Sequence, residues 1–401
     1  MSAEHEVRAA RSLGSRPLGA IAVSLATVLC FTAALGLVFL PAEVRRLAED
    51  EDVGVVSCHF LEGGKRAIVL TRPKSSALQA GLPRQVALHD LTGAEPPTVL
   101  ISATFEPLIA TVSTDNRWLF SAGTKGQIQA IDLHAPNRRP RLLGEQGWGY
   151  MGKLECTADG SLVVLGGAGG LCAWDTIKQR RLWQRDDLRL ACWALVPNLR
   201  RCVVQTDDGA IVELDLQSGL ALRTVRVHES TYYWAVFSSD ARLLALQGLG
   251  GELDVVDFAT GESIWPATAA PRLAYHAPNA IAFSPCGRLL VTIARNDLSS
   301  LAVWSVETGE RLCELRGHHE PVTGTSFTQD GRLHSWGLDG TIRTWDCWAE
   351  IGTRVAVLGK RPHSREPGQR PDAALAQSAK EDASALSLAC TPSRKGVAVH
   401  D

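Results

Sequence analysis

The amino-acid sequence predicts an all-β fold, a propeller of seven four-stranded blades, preceded by one N-terminal transmembrane helix. Three observations support this prediction. A short motif recurs about every forty residues, paired apolar runs joined by tight turns fill each period, and a long segment near the N-terminus carries no charge. Units of this length are typical of an array in which each unit packs on its neighbours.

The first element is the charge-free segment LGAIAVSLATVLCFTAALGLVFL, residues 18–40. A helix of 23 residues is long enough to cross a hydrocarbon core of about 30 Å. The sequence therefore predicts a polar N-terminal segment at 1–17, a single-pass transmembrane helix at 18–40 and a linker at 41–52.

The orientation of this segment follows from its flanks. Five arginines lie beside it, three before and two after: Arg8, Arg11, Arg16, Arg45 and Arg46. Because positive charge favours the cytoplasmic side, the sequence predicts a propeller on the extracytoplasmic side of the membrane. The alternative is a cleaved signal peptide, since Thr32, Ala33 and Ala34 supply small residues for a cleavage site.

The second element is a repeat whose third strand ends in Asp or Ser, preceded by a hydrophobic residue in six of seven repeats. This anchor ends at positions 90, 132, 175, 215, 257, 305 and 346, which are 42, 43, 40, 42, 48 and 41 residues apart. Apolar runs bounded by Gly, Asp, Asn and Ser surround each anchor, as in LECTADGSLVVLGG, and such runs form hairpins. The predicted blades are, in chain order, Val53–Ser102, Ile109–Leu143, Met151–Arg185, Leu190–Arg226, Tyr232–Pro266, Ala280–Arg316 and Val322–Leu358.

The last repeat gives the array a resemblance to a known family. It contains Gly317-His318, Asp339-Gly340 and Trp345-Asp346, and the chain resembles the WD40 β-propellers over residues 53–359. Blades one, two, four and five lack the anchor tryptophan, and a turn aspartate recurs at the matching offset only as Asp208. The array carries the resemblance more than any single motif.

The resemblance implies a hydrogen-bonded chain in the last blade, formed by His318, Ser335, Asp339 and Trp345. A buried polar group costs about 1–3 kcal/mol when it lacks a partner, so such a chain fixes loops. A nucleophile would need an adjacent base and an open pocket, so we predict no catalytic residue here. We also predict no metal and no cofactor, because the cysteines form no CxxC and adjacent ligands such as His318-His319-Glu320 rarely converge on one ion.

The end of the chain contains two further segments. Residues 353–359, TRVAVLG, form an apolar run that could complete blade seven, and the ring would then close by packing of complete blades. In many WD40 propellers, by contrast, one terminus supplies a strand to the blade formed by the other. Residues 360–401 are predicted to be a disordered tail, and its end, LSLACTPSRKGVAVHD, resembles a partial repeat.

The connections from fourth to first strands predict a surface for protein partners. Tyr and Trp combine a large contact area with a polar end and are enriched at binding hot spots. The candidate contact residues in or beside these connections are Trp148, Tyr150, Tyr232, Tyr233, Arg272, Tyr275 and His319. The alternative is that the rings fill gaps at strand starts. Substituting serine for Tyr232 and Tyr233 is expected to abolish partner capture without unfolding the ring.

These features together predict a non-enzymatic protein-interaction scaffold, tethered to a membrane through residues 18–40. The net charge of −2 argues against nucleic acid as a partner. The alternative is a quinoprotein-like propeller, either a cofactor-dependent dehydrogenase or an envelope-assembly factor, because VDFATGESIW, residues 256–265, resembles a tryptophan-docking motif. The dehydrogenases of that kind have neighbouring cysteines, and no two cysteines are adjacent here.

Overall fold

The structure of the protein is a computed structural model. The structure describes residues 38–39, 43–46, 53–74, 84–101, 105–145, 151–188, 192–227, 231–248, 251–265, 280–294 and 297–345. The chain divides into two units at Val38, and all the blades belong to the second, which begins at Phe39.

Within these ranges the chain forms 28 β-strands and a single 3-10 turn at Glu62–Gly64. The strands are β1 (Val38–Phe39), β2 (Glu43–Arg46), β3 (Val53–Leu61), β4 (Arg66–Pro73), β5 (Gln85–Asp90), β6 (Thr98–Ile101), β7 (Pro107–Val112), β8 (Trp118–Gly123), β9 (Gln127–Asp132), β10 (Arg141–Glu145), β11 (Met151–Cys156), β12 (Leu162–Gly167), β13 (Gly170–Asp175), β14 (Arg180–Arg185), β15 (Trp193–Leu195), β16 (Arg201–Gln205), β17 (Ala210–Asp215), β18 (Ala221–Val227), β19 (Tyr232–Phe237), β20 (Leu243–Gly248), β21 (Leu253–Asp257), β22 (Ala282–Phe283), β23 (Leu289–Ala294), β24 (Asp297–Ser305), β25 (Arg311–Leu315), β26 (Val322–Phe327), β27 (Leu333–Gly337) and β28 (Thr341–Trp345).

These strands form seven antiparallel blades, as the repeat period predicts. In chain order the blades consist of β3–β6, β7–β10, β11–β14, β15–β18, β19–β21, β22–β25 and β26–β28 with β2. The first strands of neighbouring blades contact each other around a closed circle: β3 with β7, β7 with β11, β11 with β15, β15 with β19, β19 with β22, β22 with β26 and β26 with β3. The fold is therefore an all-β, seven-bladed propeller.

The turns between first and second strands show why the sequence places hairpins there. In blade three, Thr157 Oγ1 donates to Asp159 Oδ1 at 2.6 Å, and the backbone N–H of Ser161 donates to the same oxygen at 3.0 Å. Gly160 between them has a φ of 65°, a left-handed conformation that glycine adopts without a steric penalty. The Asp-Gly pair thus closes the turn locally.

The core lies between the blades, because each sheet buries both faces against its neighbours. Between blades one and two, Ile68 and Leu70 pack with Leu119 and Ile131. An equivalent cluster lies at each of five other described interfaces, up to the one between blades seven and one, where Trp336 packs with Val55.

The ring closes with a strand from the N-terminal side of the chain. The outer edge of β28 is occupied by β2, which pairs antiparallel with it, Glu43 opposite Thr344 and Arg46 opposite Thr341. Of the two closure modes that the sequence left open, the structure therefore has the strand supplied by the other terminus, and part of the predicted linker at 41–52 is a strand of blade seven. Residues 353–359 and the tail at 360–401 lie outside the described residues.

The predicted transmembrane segment overlaps the described chain only at its end. There Val38–Phe39 is a β-strand, so a helix through residue 40 is wrong at this end. The rest of residues 18–40, and the segment 1–17, lie outside the described residues. No helix within the described ranges has the length and hydropathy of a membrane span.

Candidate interaction surface

The hydrogen-bonded chain of blade seven is present in the structure. The Nδ1 of His318 lies 2.9 Å from Asp339 Oδ2, and its Nε2 lies 2.8 Å from Ser335 Oγ. Trp345 Nε1 donates to the same Ser335 oxygen at 2.9 Å. A neutral imidazole satisfies all of these contacts, since Nδ1–H donates to the carboxylate and Nε2 accepts from the hydroxyl.

Burial and the contact between His318 and Asp339 shift the pKa values of both groups. Burial lowers the pKa of His318, against the opposing effect of the Asp339 carboxylate. The pKa of Asp339 is held well below its usual range: burial would raise it, but hydrogen bonds and charge attraction from His318 and bonds from Thr341 outweigh that cost. Arg343 adds an ion pair at 3.3 Å. Ser335 is 0% exposed. The hydrogen-bonded chain therefore joins the loop of His318, before β26, to the turn of Asp339, before β28, from inside the blade.

A second buried cluster joins blades three, four and five. Lys153 on β11 is 8% exposed, and its Nζ donates to Trp193 O at 2.9 Å and to Ala235 O at 3.0 Å. Glu155 Oε1 lies 2.7 Å from the same Nζ. The ring centroids of Trp193 and Trp234 lie 5.1 and 4.7 Å from it. One ammonium group thus ties together three inner strands.

A cavity of about 720 Å³ lies next to this cluster. Its wall includes Glu155, Leu195 and Val236, from the first strands of blades three, four and five, and Arg200 from the turn that follows. Glu155 also accepts a hydrogen bond from the backbone N–H of Leu195 at 2.8 Å. The cavity opens among the first-to-second strand turns, on the face opposite the fourth-to-first connections. Sequence reasoning missed it, because its wall comes from four separate repeats.

Comparison with known proteins identifies the repeat. Residues 309–346 match the family model described as WD domain, G-beta repeat, and this range contains β25 and the strands β26–β28 of blade seven. This blade is one of the seven that form the closed ring. The protein is a seven-bladed β-propeller with a WD40 repeat at its last blade.

Several curated proteins are similar to parts of this WD40 propeller. Periodic tryptophan protein 2 of Saccharomyces cerevisiae is 30% identical over 43% of the chain. Telomerase protein component 1 of Rattus norvegicus is 30% identical over 38% of the chain, and apoptotic protease-activating factor 1 of Danio rerio is 28% identical over 41%. The matches cover 19%, 6% and 14% of these relatives, so the chain spans less than a fifth of their length.

The two adjacent tyrosines of the propeller both contact cores between blades. Tyr232 is 3% exposed and lies in the core between blades four and five, where burial raises its pKa to about 12. Tyr233 is half-buried and packs against the core between blades five and six. Burial of Tyr232 favours the alternative that these rings fill gaps at strand starts, and we expect serine at this position to destabilise the fold, because truncating a buried aromatic ring leaves a cavity.

A β-bulge explains this placement. Tyr232 pairs with Gly248 and Trp234 with Gln247, so Tyr233 is an extra residue in the strand. Equivalent irregularities occur early in four other first strands, for example between Met151 and Lys153. A bulge shifts the alternation of side chains, which is why a simple inward-outward pattern misplaced the tyrosine pair.

Of the remaining predicted contact residues, His319 lies in the described part of the chain. His319 is exposed at the fourth-to-first connection before blade seven, and its backbone N–H donates to Asp339 Oδ2 at 3.2 Å. Beside it, Glu320 pairs with Lys74 of blade one at 2.7 Å. Outside the described residues lie Trp148, Tyr150, Arg272 and Tyr275.

The motif that suggested a quinoprotein joins neighbouring blades in the WD40 propeller. Trp265 Nε1 donates to Val306 O of the next blade at 2.7 Å. Trp183 Nε1 donates in the same way to Leu216 O at 2.8 Å. Each tryptophan lies eight residues after its anchor and reaches the residue after the next anchor. The motif thus has a structural role between blades.

The receiving loop needs a glycine. A Cβ on Gly219, whose φ is 71°, would lie 2.7 Å from the Trp183 ring, closer than packed carbons approach. In blade four, Arg223 takes the place of the tryptophan and donates to Phe258 O at 3.0 Å. The same inter-blade contact is therefore built from two kinds of side chain.

Proposed function

We propose that this protein is a non-enzymatic scaffold that binds protein partners on one face of its propeller and is tethered to a membrane through its N-terminal segment. The closed circle of first strands supports the scaffold role, because it holds the loops of seven repeats on one rigid frame. The names of two relatives point the same way: one is a component of telomerase and another a factor that activates a protease. A fold hosts many functions, so the binding face needs its own test.

The proposed binding face is the one formed by the fourth-to-first connections, hereafter the partner face. It comprises the exposed His319 and the predicted contacts Trp148, Tyr150, Arg272 and Tyr275. Aromatic residues and arginine dominate the energetics of many protein interfaces. Since Tyr232 is buried, we do not include it in this face.

Replacing Trp148 and Tyr150 by serine is expected to weaken partner capture at least about tenfold, because hot-spot truncations typically cost 2 kcal/mol or more. The measurement is affinity capture of full-length protein from solubilised membranes, with quantitation of the retained partners. The double variant Ile177→Ser/Leu220→Ser is the matched control, since it removes two exposed apolar side chains from turns on the opposite face. Equal capture by all three proteins, or equal loss in both variants, would contradict a partner face.

The proposed tether has a separate test. Leu25→Arg/Leu29→Arg places two charges within residues 18–40, and each charge costs about 2.5–3.5 kcal/mol at the centre of an inserted helix. The variant is expected to move from the membrane pellet to the supernatant after alkaline extraction. Ala373→Arg/Ala376→Arg in the tail is the control, and it should stay in the pellet. Retention of the first variant in the pellet would overturn the tether.

We further propose that the propeller lies on the extracytoplasmic side. The arginines that flank residues 18–40, three before and two after, support this side. Five of the seven described cysteines are buried, and burial raises the pKa of the Cys192 thiol to about 12, so such thiols are compatible with an oxidising compartment. A thiol of that kind resists oxidation. Cleavage of the tail by trypsin added outside intact spheroplasts supports this side, and protection until lysis contradicts it.

A further inference from the structure

A small cavity lies between blades seven and one, where β2 closes the ring. Its volume is about 60 Å³, which is room for about four water molecules. Residues of β2, blade one and blade seven line it, among them Arg45, Gly63, Gly64, Arg332, His334 and Thr344. Among the described residues of its wall, the two charged ones are both arginines, so the wall favours a negatively charged ligand.

His334 is a polar residue at a core position of its blade. It lies opposite Thr344, two residues before the end of the anchor, and is 6% exposed. The residue at this register in each of the other six blades is apolar and at most 1% exposed: Ile68, Phe120, Val164, Val203, Ala245 and Val291. Packing alone therefore favours an apolar side chain here, and the imidazole points to a further role.

Neighbouring groups fix the orientation of the His334 ring. It stacks on Phe60 of blade one, with the ring centroids 4.1 Å apart. Its Nδ1 lies 3.1 Å from Thr344 Oγ1, whereas its Nε2 lies 3.4 Å from Thr328 Oγ1, which is long for a hydrogen bond. Nε2 is on the side of Gly64, where an added Cβ would lie 4.0 Å from it. When the Thr344 hydroxyl donates to Nδ1, Nε2 carries the hydrogen and can donate to a ligand beside Gly64.

The two arginines reach the cavity from different parts of the chain. Arg45 lies on β2 opposite Ile342, and residues opposed in an antiparallel pair share a face. Ile342 packs in the core between blades seven and one, so Arg45 points to this seam. Arg332 lies in the turn before β27, and its Nε is 3.6 Å from Asp330 Oδ2, with both side chains mostly exposed. Because such an exposed pair is weak, Arg332 can also bind an anion in the cavity.

Two glycines leave one wall of the cavity without side chains. Gly63 and Gly64 have φ values of 66° and 88°, which glycine adopts without a steric penalty. A Cβ on Gly63 would meet no atom within 4 Å. The carboxylate of Glu62, beside these glycines, lies 3.6 Å from Arg66. A ligand can therefore approach the backbone of this turn closely.

We propose that this cavity is an oxyanion site that takes a phosphate group, from free phosphate or from a lipid headgroup. Guanidinium groups form paired hydrogen bonds with phosphate oxygens, and His334 Nε2 adds a donor from the side of Gly64. A bound phosphate contacts β2, blade seven and blade one together, so it stabilises the closed ring. The site depends neither on the proposed partner face nor on the proposed tether.

Thermal unfolding of the full-length protein in detergent tests the site, with inorganic phosphate compared with chloride at equal pH and ionic strength. Phosphate is expected to raise the unfolding temperature, because a ligand that binds only the folded state stabilises it. His334→Leu supplies an apolar side chain of the kind that other blades carry, so the ring should stay folded while the phosphate-dependent rise is lost. Arg45→Met should weaken phosphate binding at least about tenfold.

Arg46→Met is the matched control. Arg46 is the next residue of the same strand, is exposed and points to the opposite face, so the variant loses the same charge but should keep the phosphate-dependent rise. Equilibrium dialysis with radiolabelled phosphate repeats the comparison without heating, and Arg45→Met decides if His334→Leu does not fold.

Detergent micelles that contain phosphatidic acid or phosphatidylcholine distinguish the two sources of the phosphate group. A rise with inorganic phosphate, with or without phosphatidic acid, supports a site for free phosphate. A rise with phosphatidic acid alone supports a lipid headgroup. No rise with either ligand overturns the proposal, as does an undiminished rise in both site variants or an equal loss in Arg46→Met.

Discussion

Lys153→Met is expected to lower the free energy of unfolding by about 2–4 kcal/mol, because each buried polar group left without a partner costs about 1–3 kcal/mol. The substitution keeps most of the side-chain volume but leaves Glu155 without its ammonium partner. It also leaves the carbonyl oxygens of Trp193 and Ala235 without the donor that now lies 2.9 and 3.0 Å away. Urea unfolding monitored by tryptophan fluorescence measures the loss.

The combination with Glu155→Gln separates charge from packing. If the uncompensated carboxylate causes the loss, Lys153→Met/Glu155→Gln should be more stable than Lys153→Met alone, since a neutral amide is cheaper to leave beside an apolar side chain. Lys178→Met is the matched control: this lysine is exposed and lies 3.8 Å from buried Asp175, and a pair screened by solvent on its exposed side contributes about 0–1 kcal/mol. Equal losses of unfolding free energy at positions 153 and 178 would show that the buried contacts of Lys153 add no stability beyond that of an exposed lysine.

The effect extends beyond the ion pair because the partners of Lys153 belong to three repeats. Glu155 lies in its own blade, Trp193 in blade four, and Ala235 with Trp234 in blade five. Neighbouring-blade contacts largely determine the stability of repeat proteins. A group that bonds two blades away therefore couples units that would otherwise interact only through their neighbour.

The ring itself could be predicted from the sequence, because the signals that define it are local. Each hairpin is specified by apolar runs and by turns such as Asp159-Gly160, all within one repeat. The hydrogen-bonded chain from His318 to Trp345 could be predicted for the same reason, since its four residues lie within a segment of 28 residues. The WD40 pattern ties their spacing to a known geometry.

Features that depend on contacts between repeats could not be predicted in this way. Lys153 is one lysine in an apolar strand, and its carbonyl partners come from 40 and 82 residues away. The closing strand β2 lies almost 300 residues before β28 and has only one apolar residue in four. Tyr232 was misplaced because a bulge at Tyr233 changes the side-chain alternation.

Asp339→Ala is expected to cost a similar amount, about 3–5 kcal/mol, because it leaves buried His318 and Arg343 without their shared carboxylate. The same residue accepts a hydrogen bond from the backbone N–H of Thr341 at 3.1 Å, so the turn loses its fixing contact as well. Asp208→Ala is the matched control. Asp208 occupies the corresponding turn of blade four but is exposed and bonds only within that turn, so its loss should be much smaller.

The pH dependence of the same pair gives a second, independent measurement. Both groups have folded-state pKa values below their ordinary ones, so the unfolded chain binds more protons and stability rises with pH. The His318 contribution is complete above about pH 6.5 and is lost as the pH falls through its folded pKa. The Asp339 contribution is complete above about pH 4 and is lost on further acidification. The stability difference between the protein and Asp339→Ala should therefore be largest near pH 7 and shrink below pH 4; a difference that stays constant down to pH 3 would mean that the Asp339 charge adds nothing to the fold.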